Sequence, residues 1–247
     1  SAEDCALVFS AIEGKDPLDP FSADGPFSWP PRRGLRDLTV GYVEELFEEE
    51  RGKNAKTEEE KARAAEWRQF DRRSLDVLRQ LGARLVPVKL PSKTPVEPLS
   101  LILTAEAATA FDELVRDGRV KTMVRQTADA WPNVFRQGRL VPAVDYLKAH
   151  RARTLLMREM EERIANVDLF VAPTFGGKSL LLTNLTGHPA VVVPNGFRLS
   201  DGTPTSLTFT GRLRGESDLL AVADLFQRAT DFHTRRPRLP EGPAAKG

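Results

Sequence analysis

The sequence predicts an α/β fold with a mixed sheet flanked by helices. Two short apolar runs, residues 167–172 and 189–193, are bounded by turn residues, which is typical of strands that are covered on both faces. A turn signal at residues 200–202 separates residues 191–194 from the strand-like residues 206–210, and this predicts an antiparallel hairpin at one edge of the sheet. Helical patterns alternate with these strands, so the order of elements favours a single sheet.

The N-terminal segment predicts a helix and then an extended connector. A capping-box pattern from Ser1 to Asp4 opens an amphipathic helix over residues 1–13. Cys5 has helical spacing with apolar neighbours, so we interpret it as a small core residue rather than a nucleophile. Those neighbours are Val8, Phe9 and Ile12. Five prolines over residues 15–34 predict a connector that lies on the surface.

Strand and helix signals alternate through the middle of the chain. Residues 38–43 and 85–88 are strand-like, and a charge-dense stretch over residues 44–60 leads into a helix that ends near Leu81. The stripe predicted to face inward on that helix is Phe70, Ser74, Val77, Leu78 and Leu81. Another helix is predicted over residues 104–115. Its inward side chains are Ala108, Phe111 and Val115.

Two further helices complete the pattern. Pro142 is expected at the first helical position of a helix that runs to about Ile164, with Leu156, Met160 and Ile164 four residues apart. Residues 217–233 predict a closing helix. Its inward side chains are Leu219, Ala223, Phe226 and Thr230.

Composition predicts a soluble globular protein and excludes several classes. Hydrophobic residues make up 40% of the 247 residues and charged residues 29%, and no apolar run reaches the length of a membrane span. A net charge of +1, from 36 basic and 35 acidic residues, leaves no electrostatic footprint for direct nucleic-acid binding. A single cysteine rules out an internal disulfide and fits a reducing cytoplasm.

No motif predicts a cofactor or a metal. Gly177, Lys178 and Ser179 mimic the end of a phosphate-binding loop, but that motif requires a glycine where the chain has Ala172. The three histidines lie far apart in the sequence and have no paired Cys or His at a metal-ligand spacing. They are His150, His188 and His233.

The central segment carries several short motifs in a defined order. They are Asp168, the pair Pro173 and Thr174, Asn184, the run from Gly187 to Ala190, and the run from Pro194 to Gly196. In this order they resemble the C-terminal half of the amidase signature family, a family of serine amidases. The likeness continues in residues 1–14, 35–42 and 81–91 and in His233.

The resemblance implies an α/β/α layered fold and a chain that holds only part of it. Family members use a Ser–Ser–Lys triad and a Gly/Ser-rich oxyanion hole, all of which precede the segment that Ser1 begins. The chain contains no Ser–Ser pair, so we expect no catalytic residue in it. Residues 1–247 are therefore expected to be one partial domain that lacks its N-terminal catalytic half, is inactive alone and exposes a large apolar face. A start within a helix supports this expectation.

The loop predicted over residues 173–189 is the first candidate for a substrate wall, because loops at the ends of buried strands line ligand sites. Its candidates are Thr174, Phe175, Asn184, Thr186 and Gly187. Asn184 and Thr186 either bind the substrate or hold the loop by side-chain bonds to the backbone. Phe175 is either an apolar wall or a core residue. His188 either edges the pocket or satisfies backbone groups.

Residues 125–153 are the second candidate. Here the resemblance implies an arginine-bearing helix and a Y-x-x-A-x-x-x-R pattern that helps to shape specificity, matched by Tyr146, Ala149 and Arg153. Trp131 and Phe135 are candidates for an aromatic wall, and Arg125 or Arg136 for binding a substrate carboxylate. The alternative is that these residues are surface arginines and packed aromatics.

The function implied by the resemblance is amide hydrolysis through a serine acyl-enzyme, with release of ammonia or an amine. The substrate is then a small-molecule amide, and the partner is the missing N-terminal half. One alternative is the A subunit of a tRNA-dependent amidotransferase, which takes ammonia from glutamine. Another is a non-catalytic module, either a degraded relative or one half of a split protein that binds its other half through an exposed sheet edge. A homodimer is a further partner that the sequence leaves open.

Overall fold

The computed structural model describes residues 1–48 and 55–236. In this part of the chain five strands form one mixed sheet in the order β2-β1-β3-β5-β4. The strands are β1 (Thr39–Tyr42), β2 (Arg84–Pro87), β3 (Leu169–Pro173), β4 (Ala190–Phe197) and β5 (Pro204–Gly211). β1, β2 and β3 are parallel, whereas β5 is antiparallel to both β3 and β4. The predicted mixed sheet and the hairpin at its edge are confirmed.

Helices cover both faces of this sheet. They are α1 (Ala2–Ile12), α2 (Glu44–Glu48), α3 (Glu58–Gln80), α4 (Ser100–Ala110), α5 (Asp112–Arg116), α6 (Trp131–Gly138), α7 (Ala143–Ile164), α8 (Ser179–Thr186) and α9 (Glu216–Thr230). Short 3-10 turns lie at Leu35–Asp37, Glu97–Leu99, Arg119–Thr122 and Phe232–Thr234. Residues 49–54, within the predicted charge-dense stretch, lie outside the described residues.

The two faces of β3 define two cores. Leu169 and Val171 pack with apolar side chains of α1, α3 and α9, whereas Phe170 and Ala172 pack with those of α7 and α8. Successive side chains of a strand point to opposite faces, so this central strand contributes to both cores and is buried along its whole length. The α/β/α layering expected from the sequence follows from that placement.

The N-terminal helix differs from its predicted burial. α1 has the expected capping box, but its buried residues are Ala2 and Ala6, which allow close packing on α9. Cys5 and Ile12 are exposed, as is Val8 at 61%. The interpretation of Cys5 as a core residue is therefore wrong, because the small alanines rather than the larger apolar side chains face α9 and the core.

Two predicted element boundaries also change. The helix expected over residues 104–115 is two helices, because the backbone at Phe111 leaves helical geometry between α4 and α5. Phe111 is half-exposed rather than inward. Pro142 caps α7 instead of occupying its first position, while the stripe of Leu156, Met160 and Ile164 is buried as predicted.

Candidate functional site

The carboxyl ends of β1, β2 and β3 meet at one edge of the sheet, which we call the carboxyl edge. Tyr42 pairs with Pro87 in β2 and with Val171 in β3, so the three strands end close together. Ligands of open α/β sheets bind outside the carboxyl ends of the strands. Thr174 and Phe175 follow β3 directly, and the structure places both at this edge.

The turn after β3 is held on one side and open on the other. The backbone N–H of Thr174 donates to the carbonyl oxygen of Ser206 at 3.3 Å, and its hydroxyl lies 2.9 Å from that of Thr208. Phe175 adopts a left-handed backbone, φ +58°, and its side chain is 79% exposed. A phenylalanine in this region of φ is strained, and such strain is concentrated at functional sites. Phe175 is not a core residue, and its ring is available to a ligand.

The remaining candidates of this segment lie elsewhere. Residues 179–186 form α8 instead of the predicted loop, and α8 leads into β4, which starts at Ala190 opposite Thr210. The carbonyl of Pro189 accepts from Gly211, the residue that pairs with the first residue of β3. α8 therefore carries Asn184, Thr186 and Gly187 toward the amino end of β3. The structure does not bring them together with Thr174 and Phe175.

Each of these three residues has a distinct environment. Asn184 and Gly187 are exposed, whereas Thr186 is 1% exposed. The Thr186 hydroxyl donates to the carbonyl of Leu182 at 2.9 Å and therefore accepts from Nδ1 of His188, also at 2.9 Å. These bonds match the alternative in which Thr186 holds its own segment.

His188 is buried near the amino end of β3 and lies beside a partly exposed ion pair. Its Nε2 lies 3.4 Å from a carboxylate oxygen of Glu161, and the other oxygen of Glu161 lies 3.1 Å from Arg212. Burial lowers the pKa of His188, and the charge of Glu161 opposes that shift. His188 therefore does not lie at the carboxyl edge, and its hydrogen bond goes to a side-chain hydroxyl rather than to a backbone oxygen.

Arg125 and Trp131 lie in the helical lobe formed by α4, α5 and α6. Arg125 forms an ion pair with Asp129 and donates to the hydroxyl of Thr127 at 3.1 Å. Trp131 begins α6 and is half-exposed. Its ring lies 5.6 Å from that of Phe135. Arg125 is thus already paired with a carboxylate of its own segment.

An apolar groove, which we call the aromatic groove, opens beside Trp131 and has a volume of about 540 Å³. It is lined by Leu103, Glu106, Ala107, Ala110, Phe111, Leu114, Met123, Trp131 and Phe135. The sequence pattern indicated Trp131 and Phe135 but missed Phe111 and the α4 side chains. The only available signal was the aromatic spacing itself, because helical periodicity assigns Phe111 to the core.

Other motif residues hold elements together. Asp168 accepts the backbone N–H of Thr39 and pairs with Arg33, both at 2.8 Å, which joins the starts of β1 and β3. Arg153 donates to the carbonyl of Leu185 at 2.6 Å and so ties α7 to α8. Such contacts give these motif residues structural roles.

A buried polar network at the end of β4 was not foreseen. The Asn195 side chain donates to Asp71 at 3.2 Å and to Ser74 at 3.1 Å, and it accepts from Thr205 at 2.7 Å. A Cβ on the next residue, Gly196, would lie 2.4 Å from the ring of Phe70. The Pro–Asn–Gly motif therefore attaches β4 to α3. The Asn195 side-chain amide supplies both donor and acceptor, and Gly196 lets the backbone of β4 lie against the Phe70 ring of α3.

The described residues hold neither a metal-type cluster nor a membrane helix. No group of three or more His, Cys, Asp or Glu side chains in residues 1–48 and 55–236 has an arrangement that could hold a metal ion. None of the helices in these same ranges is long and apolar enough to cross a membrane.

Residues 1–183 match the model of the family described as Amidase. The chain belongs to the amidase family. Curated amidase relatives include a glutamyl-tRNA(Gln) amidotransferase A subunit from Chloroflexus aggregans, which is 33% identical over 96% of the chain and 54% of the relative. An amidase of Pseudomonas putida is 28% identical over 97% of the chain and 53% of the relative. The resemblance drawn from the motifs is confirmed.

Solved structures show the same fold. A bacterial aryl acylamidase of the amidase signature enzymes has a TM-score of 0.72 at 19% identity, covering 95% of this chain and 52% of that one. The peptide amidase of Stenotrophomonas maltophilia has a TM-score of 0.68 at 20% identity, covering 94% and 52%. The chain spans about half the length of the curated relatives and solved structures that it matches.

Proposed function

We propose that this amidase chain supplies part of the substrate wall of a serine amide hydrolase, at the carboxyl edge of its sheet. The observation that carries the proposal is the exposed, strained Phe175 directly after β3, in a chain of the amidase family. Thr174 fixes the turn beneath it through β5. The substrate is a small-molecule amide, and no cofactor is required.

In this proposal residues 1–247 form one partial domain, and the nucleophile, base and oxyanion hole lie on other sequence. No two serines are adjacent in the chain, so it lacks the Ser–Ser pair that the family's chemistry uses. The covering half of the domain is then the first partner of this chain. A cytoplasmic location and the absence of direct nucleic-acid binding are parts of the same proposal.

The experiment compares ammonia release from propionamide by the 247-residue chain and by the natural polypeptide that contains it. We expect none from the chain and turnover by the polypeptide. Steady release by the chain, lost on modification of one of its own serines, would overturn the assignment of catalysis to other sequence.

Phe175→Ala in the active polypeptide tests the wall itself. Loss of the ring should lower kcat/KM by about five-fold to 150-fold, equivalent to about 1–3 kcal/mol, while the unfolding temperature stays unchanged. Phe21→Ala is the matched control, because Phe21 is 94% exposed on the connector that follows α1. If Phe175→Ala and Phe21→Ala have the same kcat/KM, Phe175 does not contribute to the substrate site.

A second candidate function is that of an amidotransferase A subunit. It is favoured by the 33% identity with the Chloroflexus aggregans protein, against 28% with the Pseudomonas putida amidase. Ammonia release from glutamine that exceeds release from propionamide, and that rises when a partner protein is added, would select this candidate. Release from simple amides without a partner would select the hydrolase.

A further inference from the structure

The aromatic groove is an open groove in which three aromatic rings contact one another. Phe135 is its buried floor, and the ring of Phe111 stacks on it at 4.9 Å with an interplanar angle of 29°. Trp131 lies on the same ring at 5.6 Å and 31°. Phe111 is 47% exposed and Trp131 50% exposed, so two aromatic side chains that both contact the Phe135 ring border the opening.

The backbone beneath the groove is fixed by close packing. A Cβ on Gly138 would lie 2.3 Å from the carbonyl oxygen of Thr104 and 2.6 Å from the Cβ of Ala108. Only glycine therefore allows α6 to approach α4 this closely. Because the two helices are in direct contact, the rings on α6 and the ring of Phe111, which directly follows α4, are positioned before any ligand arrives.

The lining selects an uncharged, flat ligand. Glu106 is the single charged side chain of the lining, and its carboxylate accepts from the Tyr146 hydroxyl at 3.2 Å and lies 3.9 Å from His150. That carboxylate is already engaged by α7. A volume of about 540 Å³ lies within the range of small-molecule sites. Aromatic side chains in this arrangement favour another ring, by offset stacking or edge contact.

The groove lies beyond the carboxyl edge of the sheet. α7 has 22 residues, about 33 Å, whereas β3 has five, about 17 Å. The last turns of α7 pack against β3 through Met160 and Ile164, and the chain then enters β3 at its amino end. The first turns of α7 must extend past the opposite end, and there Tyr146 contacts α4. The groove and Phe175 thus lie toward the same end of the molecule.

We infer that the aromatic groove binds an aryl group of the amide substrate. This inference rests on the proposed function. An aryl group can come from the amine side of the amide or from the acyl side, and the groove recognises the ring in either case. Arg125 takes no part in this recognition, because Asp129 already neutralises it.

The first experiment measures binding to the 247-residue chain by saturation-transfer NMR and equilibrium dialysis. The probes are acetanilide, with the ring on the amine side, benzamide, with the ring on the acyl side, and acetamide, without a ring. We expect at least one aryl amide to bind and acetamide not to bind. Failure of both aryl amides to bind, or binding of acetamide as strong as that of the aryl amides, would overturn the inference.

Variants then locate the site. Trp131→Ala should weaken binding of the aryl amide about tenfold, and Ala110→Trp, which fills the groove from an exposed lining position, should abolish it. Leu155→Ala, at an exposed α7 position outside the groove, should bind as the unchanged chain does. Circular dichroism checks that each variant is folded. Unchanged affinity in folded Ala110→Trp would overturn the inference.

Two further measurements separate the inference from competing outcomes. Sedimentation of the unchanged chain and of Ala110→Trp tests whether a second copy of the chain occupies the groove. If the unchanged chain is a dimer, Ala110→Trp is a monomer and no aryl amide binds, the inference is overturned. In the active polypeptide, amide hydrolysis without any preference for aryl substrates would overturn the inference that the groove binds an aryl group. The proposed hydrolase function would then still stand. Aryl binding without any amide hydrolysis would support the groove and reject the proposed hydrolase function.

Discussion

β3 and β4 have similar sequences but different surroundings. Both are short apolar runs that reach a proline, and both were expected to be covered on two faces. β3 lies between β1 and β5, and all five of its residues are buried. β4 is one of the two outer strands, and Val192 is 57% exposed while Val193 is 1% exposed. An apolar run therefore predicts a strand, but the position of the strand in the sheet decides its burial.

The difference in burial between β3 and β4 also corrects the expectation that the chain exposes a large apolar face. Residues 170–172 are already covered by the helices of this chain, so they do not contribute to such a face. Val192 remains open, together with larger exposed side chains of α1 and the connector. Association through these surfaces, including a homodimer, stays a prediction.

The largest expected effect breaks the comparison between the two strands directly. Phe170→Ala should lower the free energy of unfolding by about 3–5 kcal/mol, because the 1% exposed ring leaves a cavity in a closed core. Val192→Ala on the outer strand should change it by less than about 0.5 kcal/mol. Urea unfolding of both variants measures the difference. Equal losses would show that β4 is covered in solution.

A smaller effect sharpens the comparison at the end of β4. Asn195→Ala should cost about 1–3 kcal/mol, because it removes a donor to the buried Asp71 and an acceptor for Thr205. Asn184→Ala is the matched control, since this amide is exposed on α8. The free energy of unfolding is measured in the same way. If Asn184→Ala lowers it as much as Asn195→Ala does, the buried polar network does not stabilise the end of β4.

The smallest effect concerns pH at the start of β4. Burial holds the pKa of His188 below its ordinary value of 6.5, so the unfolded chain binds more protons there. The resulting stability is present above pH 6.5 and is lost as the pH falls through the lower folded pKa. Unfolding free energies measured across this range should vary less in His188→Asn. An unchanged pH dependence in this variant would contradict the role of burial.

Much of the architecture could be predicted because its signals are local. The capping box of α1, the hairpin between β4 and β5, and the stripe of Leu156, Met160 and Ile164 depend on residues a few positions apart. The order of the short motifs was sufficient to identify the family. The candidate site was less accessible, because Thr174 and Phe175 lie at the carboxyl edge whereas α8 carries Asn184 toward the other end of the sheet.

Local sequence was sufficient for the α/β class, the family, the strands and the turn that carries Phe175. The assembled sheet and helices were needed to make β4 rather than β5 the outer strand of the predicted edge hairpin, to turn Cys5 outward, and to bring Phe111 from the expected core to the border of the aromatic groove. The reason is physical: turns and caps form from neighbouring residues, whereas burial depends on segments far apart in the sequence that meet only when the sheet and its helices assemble.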